Sequence, residues 1–205
     1  MNTIGIAGGS GTGKSTIAAH IARRYQGVHI DADQVAHRVL EDRAVIGEIR
    51  REFGAGAIDV DGTVNRRRLG VYVFSDAGRR AALNAIVHPA IVARCGAEVE
   101  HAREAGAAVA VVDAALLLEV DMQIPFDFTL ALTCDPEIRL ARLRGRGGWS
   151  EGELRSRLEA QAGLEKHFYK ADAVVDTGPT LPEVLDASRS NRCSRGKSTP
   201  VAQSR

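Results

Sequence analysis

The chain of 205 residues has little lysine, few aromatic residues and almost no net charge. Only four of its 27 basic residues are lysines, aromatic residues make up 4% of the chain, and the formal net charge is +1. A nearly neutral chain is a poor candidate for a specific nucleic-acid binder or a polybasic membrane binder. Because lysines are so few, each of them is informative.

Cysteines and long apolar runs are also scarce. The three cysteines, Cys95, Cys134 and Cys193, show no C-x-x-C spacing. This argues against a disulfide framework or a zinc knuckle and predicts a reducing, cytoplasmic setting. The longest apolar stretch, residues 107–118, is interrupted by Asp113 and is too short to cross a bilayer. The opening MNTIGIAGG has no basic or long apolar region, so we expect no secretory signal.

Short apolar runs alternate with helical patterns along the chain. The runs predict buried strands at residues 4–7, 28–30, 108–112, 128–133 and 173–175. This alternation is typical of an α/β fold of three layers, with a mostly parallel five-stranded sheet covered by helices on both faces. Pro89 is expected at the start of a helix, where its missing N–H group costs nothing.

Residues 8–15 match the phosphate-binding pattern G-x-x-x-x-G-K-[ST]. The segment follows an expected strand and opens an expected helix, so its glycines can turn backbone N–H groups towards an anion. Lys14 can reach the outer phosphates of a nucleotide, and the Ser15 hydroxyl can ligate Mg²⁺. The pattern predicts a site for ATP and Mg²⁺, and a flexible glycine-rich turn is the alternative.

The same loop occurs in GTPases, transporters and small-molecule kinases. A guanine-reading N-K-x-D motif needs Asn before Lys, and no lysine of this sequence has one. The transporter signature L-S-G-G-Q is also missing from the sequence. Small-molecule kinases are therefore the leading class.

Three carboxylates follow or end expected strands, where a parallel sheet lines its ligand crevice. Asp33 could orient an acceptor hydroxyl and take its proton, although Asp31 or Asp33 could instead cap the helix that follows. Asp113 could hold the Mg²⁺ shell or be a turn residue at a strand end. His37 is expected on a solvated or substrate-facing helix surface rather than in a metal site, because no third ligand has suitable spacing.

Arginines cluster in a segment that could close as a lid. Arg142 and Arg146 lie four residues apart, on one helix face, and their guanidinium groups suit phosphate contact. Arg139 and Arg144 are expected on an exposed basic surface. Glycines within residues 145–148 would act as a hinge and allow closure that excludes water.

Two helix starts are marked by capping side chains. Asp135 is expected to cap a helix with Pro136 at its first position. Ser150 and Glu153 have the spacing of a capping box. These signals predict helices on either side of the glycine-rich hinge.

Taken together, these motifs resemble the dephospho-coenzyme A (dephospho-CoA) kinase family. The matching segments run in order across residues 3–186: Gly8–Thr16, Asp31–Asp33, Ala36–His37, Phe53–Gly54, Asp61–Thr63, Arg66, Leu83–Asn84, His88–Pro89, Asp113, Leu116–Leu117, Glu119, Arg142, Arg146, Arg157 and Gln161. The resemblance implies a P-loop kinase fold with a helical substrate-binding insertion and a helical lid. It also implies ATP- and Mg²⁺-dependent phosphorylation of the ribose 3′-hydroxyl of dephospho-CoA.

The resemblance implies roles for individual residues. The ATP-binding residues would be Gly11, Thr12, Gly13, Lys14, Ser15, Thr16 and Arg146. The substrate-binding residues would be Asp33, His37, Arg66 and His88. Asp33 would be the catalytic base, assisted by Lys14 and Arg142, and Ser15 and Asp113 would hold the metal. On the residues alone, a buried histidine at a helix start is the favoured interpretation of His88, and the resemblance makes the two interpretations about equal.

A kinase domain over residues 1–187 is expected, with a basic tail after it. Its core would comprise about 1–32 and 107–187, its helical substrate region about 33–106 and its lid about 139–165. Residues 188–205 contain five basic and no acidic residues and little apolar character, so we expect a disordered tail. A monomer is favoured.

Two other functions stay open at this point. One is a nucleoside or nucleotide kinase with the same loop and arginines, and the other is an ATP-binding module without turnover. The sequence also departs from the family pattern at three places. Ala115 replaces a usual Pro, Gly147 replaces a common Asp, and residues 177–179 replace an Asn- and Gly-containing turn.

Overall fold

The apolar segments of the chain form a five-stranded parallel sheet. The computed structural model describes residues 1–74, 76–145 and 150–178. Its strands are β1 (Asn2–Gly8), β2 (Val28–Asp31), β3 (Val109–Ala114), β4 (Phe128–Thr133) and β5 (Ala173–Asp176). They lie in the order β2-β3-β1-β4-β5, and every pairing is parallel. The predicted α/β fold is confirmed.

Helices follow the strands and cover the sheet. They are α1 (Lys14–Arg24), α2 (Ala32–Val39), α3 (Arg43–Phe53), α4 (Arg66–Phe74), α5 (Ala77–Glu104), α6 (Pro136–Arg144) and α7 (Glu151–Ala160), with short 3₁₀ segments at Ala55–Ala57 and Leu164–Lys170. No helix among the described residues combines the length and the apolar character needed to cross a membrane.

Successive strand residues point to opposite faces, and this gives the sheet two hydrophobic cores. On one face, Ile6 and Val111 pack with Ile17 of α1. On the other face, Ala7 and Val112 pack with side chains of α2, α3, α4 and α5. Fully burying an aliphatic side chain of this size contributes about 1.5–3 kcal/mol, so both cores stabilise the sheet that carries the site.

Between β2 and β3 the chain is helical, and one expectation about this region was wrong. Pro89 does not start a helix but lies inside α5. A proline has no N–H group, so the carbonyl of Ala85 loses its usual helical partner. Both residues are exposed. Water can therefore reach that carbonyl, and the long helix continues through the proline.

Side-chain caps start three helices near the carboxyl edge of the sheet. The Asp135 carboxylate accepts hydrogen bonds from the N–H groups at the start of α6, and Ser150 forms a capping box with Glu153 at α7. Both predictions are confirmed. Asp31 caps α2 by accepting hydrogen bonds from the N–H groups of Asp33 and Gln34. The Asp33 carboxylate is therefore left for another task.

Two of the cysteines are buried free thiols. Cys95 and Cys134 make no disulfide, and burial raises the pKa of Cys95 to about 11. Several predictions fall outside the described residues. These are the role of Arg146, the glycine hinge within residues 145–148 with Gly147, Pro179 of the turn after β5, Cys193, and the tail at 188–205.

Candidate active site

The phosphate-binding loop joins β1 to α1 and depends on glycine at two places. Gly11 has a φ of +82°, and a side chain there would also lie 2.8 Å from the carbonyl oxygen of Arg139. Gly13, which precedes the first residue of α1, has a φ of +90°, in the left-handed region that side chains rarely adopt. Both positions therefore need a residue without a side chain.

The loop opens onto the N-terminus of α1. The first hydrogen bond of this helix runs from the N–H of Ile17 to the carbonyl of Gly13. The N–H groups of Lys14, Ser15 and Thr16 precede it, so they have no partner within the helix. Such groups, together with the helix dipole, form an anion site. Lys14 is buried beside them, whereas the side chain of Thr16 is exposed.

Arg139 is buried against the loop, which corrects the expectation that it lies on an exposed surface. Only 7% of the residue is accessible. Its Nε donates to the carbonyl of Ser10 at 2.8 Å, and its Nη2 donates to Oε1 of Gln161 at 3.3 Å. The same Gln161 oxygen accepts the Ser10 N–H at 2.7 Å. The guanidinium lies in the interior because it satisfies loop groups there, and burial lowers its pKa.

Arg142 joins the loop to the segment after β5. Its guanidinium donates to the carbonyls of Gly11, Thr177 and Gly178 at 3.3, 2.7 and 2.9 Å. The buried Thr177 hydroxyl donates to the carbonyl of Thr12 at 2.8 Å. The turn that departs from the family pattern therefore supports the loop. Arg144 lies on the surface, as expected, and pairs with Glu151.

Asp113 connects the loop to β2 and β3. Its carboxylate is 2% exposed and accepts a hydrogen bond from the Ser15 hydroxyl at 2.9 Å. The other carboxylate oxygen lies 2.5 Å from Nε2 of His29. This hydrogen bond raises the pKa of His29, and burial opposes the shift. Asp113 lies within β3 rather than in a strand-end turn, and its carboxylate is aimed at the loop.

Asp33 lies in the first turn of α2, facing the loop lysine. The residue is exposed at one side, and its pKa is raised, first by partial desolvation of the carboxyl group and then by the negative charges of Asp31 and Asp113. The charges of Lys14 and His37 oppose this shift. Lys14 and Asp33 belong to different elements, but their side chains are close enough for the two charges to interact.

A mainly apolar cavity adjoins Asp33. It has a volume of about 250 Å³ and also borders on residues 114–116, at the end of β3 and just after it. One face of α5 forms a wall with residues spaced by three or four: Asn84, Val87, His88, Ile91 and Val92. Burial lowers the pKa of His88, which favours its neutral imidazole. Asp33, Asn84 and His88 are the polar groups of a pocket that suits an organic ligand.

His37 and Arg66, two of the predicted substrate-binding residues, lie outside the cavity. His37 is exposed on α2 and reaches the site only through its charge. Arg66 is exposed at the start of α4, and within the described part of the chain its side chain makes no ion pair. Neither residue lines the cavity.

Sequence reasoning missed several residues that shape the site. His29, Gln161 and Thr177 were given no role, and Arg139 was assigned to the surface. A histidine inside a predicted buried strand was one available signal, because a buried polar group needs a partner, and the match of Gln161 to the family pattern was another. The contacts of the other three cross between distant parts of the chain, which local spacing does not reveal.

The fold and the site define a class of protein. A helix-opening phosphate loop at the carboxyl edge of a parallel sheet, with a Ser–Asp oxygen pair beside it, is the arrangement of P-loop kinases and related NTPases. The adjoining cavity with its carboxylate favours a kinase that acts on a small molecule. The chain belongs to the dephospho-CoA kinase family, whose model matches residues 2–183.

Individual relatives agree with this assignment. The chain is 38% identical to the dephospho-CoA kinase of Symbiobacterium thermophilum, over 88% of this chain and 76% of the relative. It is also 38% identical to the dephospho-CoA kinase of Leifsonia xyli subsp. xyli, over 89% of this chain and 93% of the relative. The predicted family is confirmed.

Solved structures support the fold. The crystal structure of TT1252 from Thermus thermophilus matches with a TM-score of 0.74 and 31% identity, over 92% of this chain and 94% of that one. The dephospho-CoA kinase from Campylobacter jejuni matches with a TM-score of 0.60 and 22% identity, over 90% and 92% of the two chains. The second likeness is evidence of the fold alone.

Proposed function

We propose that this chain transfers the γ-phosphoryl group of ATP to the ribose 3′-hydroxyl of dephospho-CoA, giving coenzyme A and ADP. The observation that carries the proposal is the joint placement of Lys14, at the phosphate loop, and Asp33, on the wall of the cavity. A nucleotide phosphate and an acceptor hydroxyl would meet between these two side chains. Membership in the family supplies the identity of the acceptor.

The loop would hold the phosphates of ATP. Backbone N–H groups within Gly11–Thr16 would surround the phosphate oxygens, and the Lys14 ammonium would neutralise charge on the outer phosphates. Arg139 and Arg142 donate hydrogen bonds to the loop carbonyls of Ser10 and Gly11. This keeps the loop preorganised, so little reorganisation is needed when charge moves in the transition state.

Ser15 and Asp113 fit a bound Mg²⁺. Their oxygen atoms lie 2.9 Å apart, and hydroxyl and carboxylate oxygens are the ligands that this hard cation prefers. Among the described residues, no group of three or more His, Cys, Asp or Glu side chains could hold a metal. The ion would therefore depend on nucleotide phosphates as well as on these two residues. When bound, it would neutralise charge on the phosphates.

Asp33 would take the proton of the acceptor hydroxyl. As the hydroxyl oxygen forms its bond to the γ-phosphorus, the bond from that phosphorus to the β–γ bridging oxygen breaks and ADP leaves. The proton passes to an Asp33 carboxylate oxygen. Its raised pKa makes Asp33 a better proton acceptor than an ordinary aspartate.

The remaining predicted residues are proposed in supporting roles. His88, neutral and beside Asp33 in the cavity, would donate or accept a hydrogen bond to the acceptor. His37 and Arg66 would attract the anionic diphosphate of dephospho-CoA from exposed positions. Arg142 would add positive charge near the transferred group from its place against the loop. Arg146 would act likewise from the lid.

The proposal is tested by a panel of acceptors offered with ATP and Mg²⁺. ADP release is measured with dephospho-CoA, with nucleosides and with nucleoside monophosphates at equal concentration. We expect turnover with dephospho-CoA to exceed every other acceptor by at least tenfold. A preference for a nucleoside or nucleotide would establish the competing kinase function. ATP binding without turnover on any acceptor would instead indicate a non-catalytic module.

A further inference from the structure

We propose that His29 is a positioning residue that holds the Asp113 carboxylate in place and thereby sets the Mg²⁺ affinity of the nucleotide site. The inference rests on the proposed function, since Mg²⁺ and ATP are what Ser15 and Asp113 would meet. His29 belongs to β2, outside the phosphate loop. It is not one of the proposed nucleotide-binding residues, and it does not line the cavity.

The parallel pairing of β2 with β3 brings the two side chains together. Asp31 lies opposite Asp113, and His29 lies opposite Val111. Residues two apart in a strand share one face of the sheet, so His29 lies on the same face as Asp113. Its imidazole reaches the carboxylate with 20% of the side chain exposed, while Asp113 is almost completely buried.

Each oxygen of the Asp113 carboxylate has one hydrogen-bond partner. Oδ2 accepts the hydroxyl of Ser15, and Oδ1 accepts Nε2 of His29. An ionised carboxylate can only accept, so the proton in the second bond belongs to the imidazole. A neutral histidine with its proton on Nε2 can donate this bond, and a charged imidazole donates a stronger one. The positioning role therefore does not require a particular charge on His29.

Holding both oxygens stops the carboxylate from rotating. Without the imidazole, Oδ1 would be a buried oxygen without a partner, which is unfavourable. The carboxylate would turn to find water or a second bond, and Oδ2 would leave Ser15. Loss of a residue that hydrogen-bonds to a metal ligand typically lowers metal affinity or activity by about 10–100-fold. We therefore expect the loss to appear in the Mg²⁺ dependence of the protein.

The test compares two substitutions at His29 with a matched control. His29→Leu removes the donor and keeps apolar bulk, whereas His29→Gln keeps an N–H donor on a side chain of similar reach. His101→Leu makes the same change at an exposed histidine near the end of α5. ATP binding is measured by calorimetry in EDTA and over a Mg²⁺ titration, and melting temperature is recorded for each variant.

We expect His29→Leu to raise the Mg²⁺ concentration for half-maximal ATP binding by about tenfold or more, with ATP affinity in EDTA changed less than twofold. His29→Gln should stay within threefold of the wild-type midpoint, and His101→Leu should match wild type. If His29→Leu does not fold, His29→Asn, whose amide is too short to reach Oδ1, replaces it with the same expected result.

Two results in the variants would overturn the inference. One is an unchanged or lowered Mg²⁺ midpoint, and the other is an equal loss of ATP affinity with and without Mg²⁺, which a general structural role would cause. A failure of the proposed function has a different signature, since wild-type protein itself would then show no Mg²⁺-dependent binding of ATP, and the inference would fall with it.

Discussion

At the scale of single residues, the site depends on charges that partly oppose one another. The pKa of Asp33 is raised by partial desolvation and by the carboxylates of Asp31 and Asp113, whereas the positive charge of Lys14 lowers it. The folded chain therefore holds the Asp33 proton more tightly than the unfolded chain does. Ionising Asp33, as a catalytic base must be, costs folding free energy at neutral pH.

The first prediction is that Asp33→Asn lowers turnover and does not lower stability at pH 7. General-base catalysis is typically worth about 10²-fold or more, so we expect a loss of at least that size. The asparagine carries no charge to desolvate, so the melting temperature should equal or exceed that of wild type. Steady-state kinetics and thermal unfolding check both parts. Turnover within a few-fold of wild type would remove Asp33 from its role.

A second prediction concerns pH. Because Asp33 must be ionised to take a proton, kcat/KM should fall as the pH drops through its raised pKa. The acid limb of the profile should therefore lie above pH 3.8, which is the pKa of an ordinary aspartate. The profile of Asp33→Asn, measured with the same buffers, should lack this limb. An unchanged limb in the variant would assign it to another group.

A third prediction separates two arginines of α6. Arg139 is buried and holds the loop, whereas Arg144 is on the surface. Hydrogen bonds from a charged donor contribute about 1.5–3 kcal/mol, so Arg139→Leu should lower the free energy of unfolding by about that amount and weaken ATP binding. Arg144→Leu is the control and should change either quantity little. Equal effects of the two substitutions would show that Arg139 does not support the loop.

Sequence patterns located the residues whose chemistry is local and missed those that work across the fold. Lys14 and Ser15 belong to one continuous motif, and Asp33 follows a recognisable strand. The partnership of Arg139 with Ser10 and Gln161 is different, because it joins three segments far apart in the chain. Its geometry exists only after the sheet has brought α6 and the loop together.

At the scale of elements, the starts of α6 and α7 were predicted correctly, whereas the position of Pro89 inside α5 was not. The caps at Asp135 and Ser150 were predictable because each acts within its own first turn. Pro89 misled because a proline is usually placed at a helix start. Packing of α5 against α2, α3 and α4 compensates for the missing backbone hydrogen bond, and no local pattern reports such packing.

A fourth prediction tests the contribution of a cap. The Asp135 carboxylate accepts hydrogen bonds from the N–H groups of Glu137 and Ile138. Removing such a cap costs about 0.5–2 kcal/mol, so Asp135→Ala should lower the free energy of unfolding by about 1 kcal/mol. Asp42 occupies the same position at α3 without a side-chain cap bond and serves as the control. Denaturant unfolding should show a smaller loss for Asp42→Ala, and an equal or larger one would contradict the assignment.

The cavity also belongs to the scale of elements. One face of α5 and the chain after β3 form its walls, and Asp33 enters from α2. The sequence predicted a helical substrate region between β2 and β3, and helices occupy that interval. The pocket itself could not be predicted, because it results from how separate helices lie against the sheet. The division into core, substrate region and lid stays a prediction.

At the scale of the whole molecule, the near-zero net charge is a sum of unlike parts. Residues 188–205 carry +5 and the remaining residues carry −4. Three positive charges of the acidic part, those of Lys14, Arg139 and Arg142, lie at the loop where an anionic nucleotide would bind. Preorganised positive groups at such a point stabilise the transferred phosphoryl group more than scattered surface charge would.

A fifth prediction concerns the basic tail. A chain ending at residue 187 should keep its kcat and its KM for ATP within twofold of the full-length values, because the proposed site lies entirely before that point. Parallel kinetics on the two proteins check this. A truncated protein that is folded but inactive would show that the tail contributes to catalysis.

The most direct measurement is identification of the product formed from dephospho-CoA. Wild-type protein and Asp33→Asn are incubated with ATP, Mg²⁺ and dephospho-CoA, and the products are analysed by mass spectrometry and ³¹P NMR. We predict coenzyme A, phosphorylated at the ribose 3′-position, in stoichiometric balance with ADP, and a rate at least about 10²-fold lower in the variant. No phosphorylated product from dephospho-CoA, or phosphate on another position, would contradict the proposed reaction.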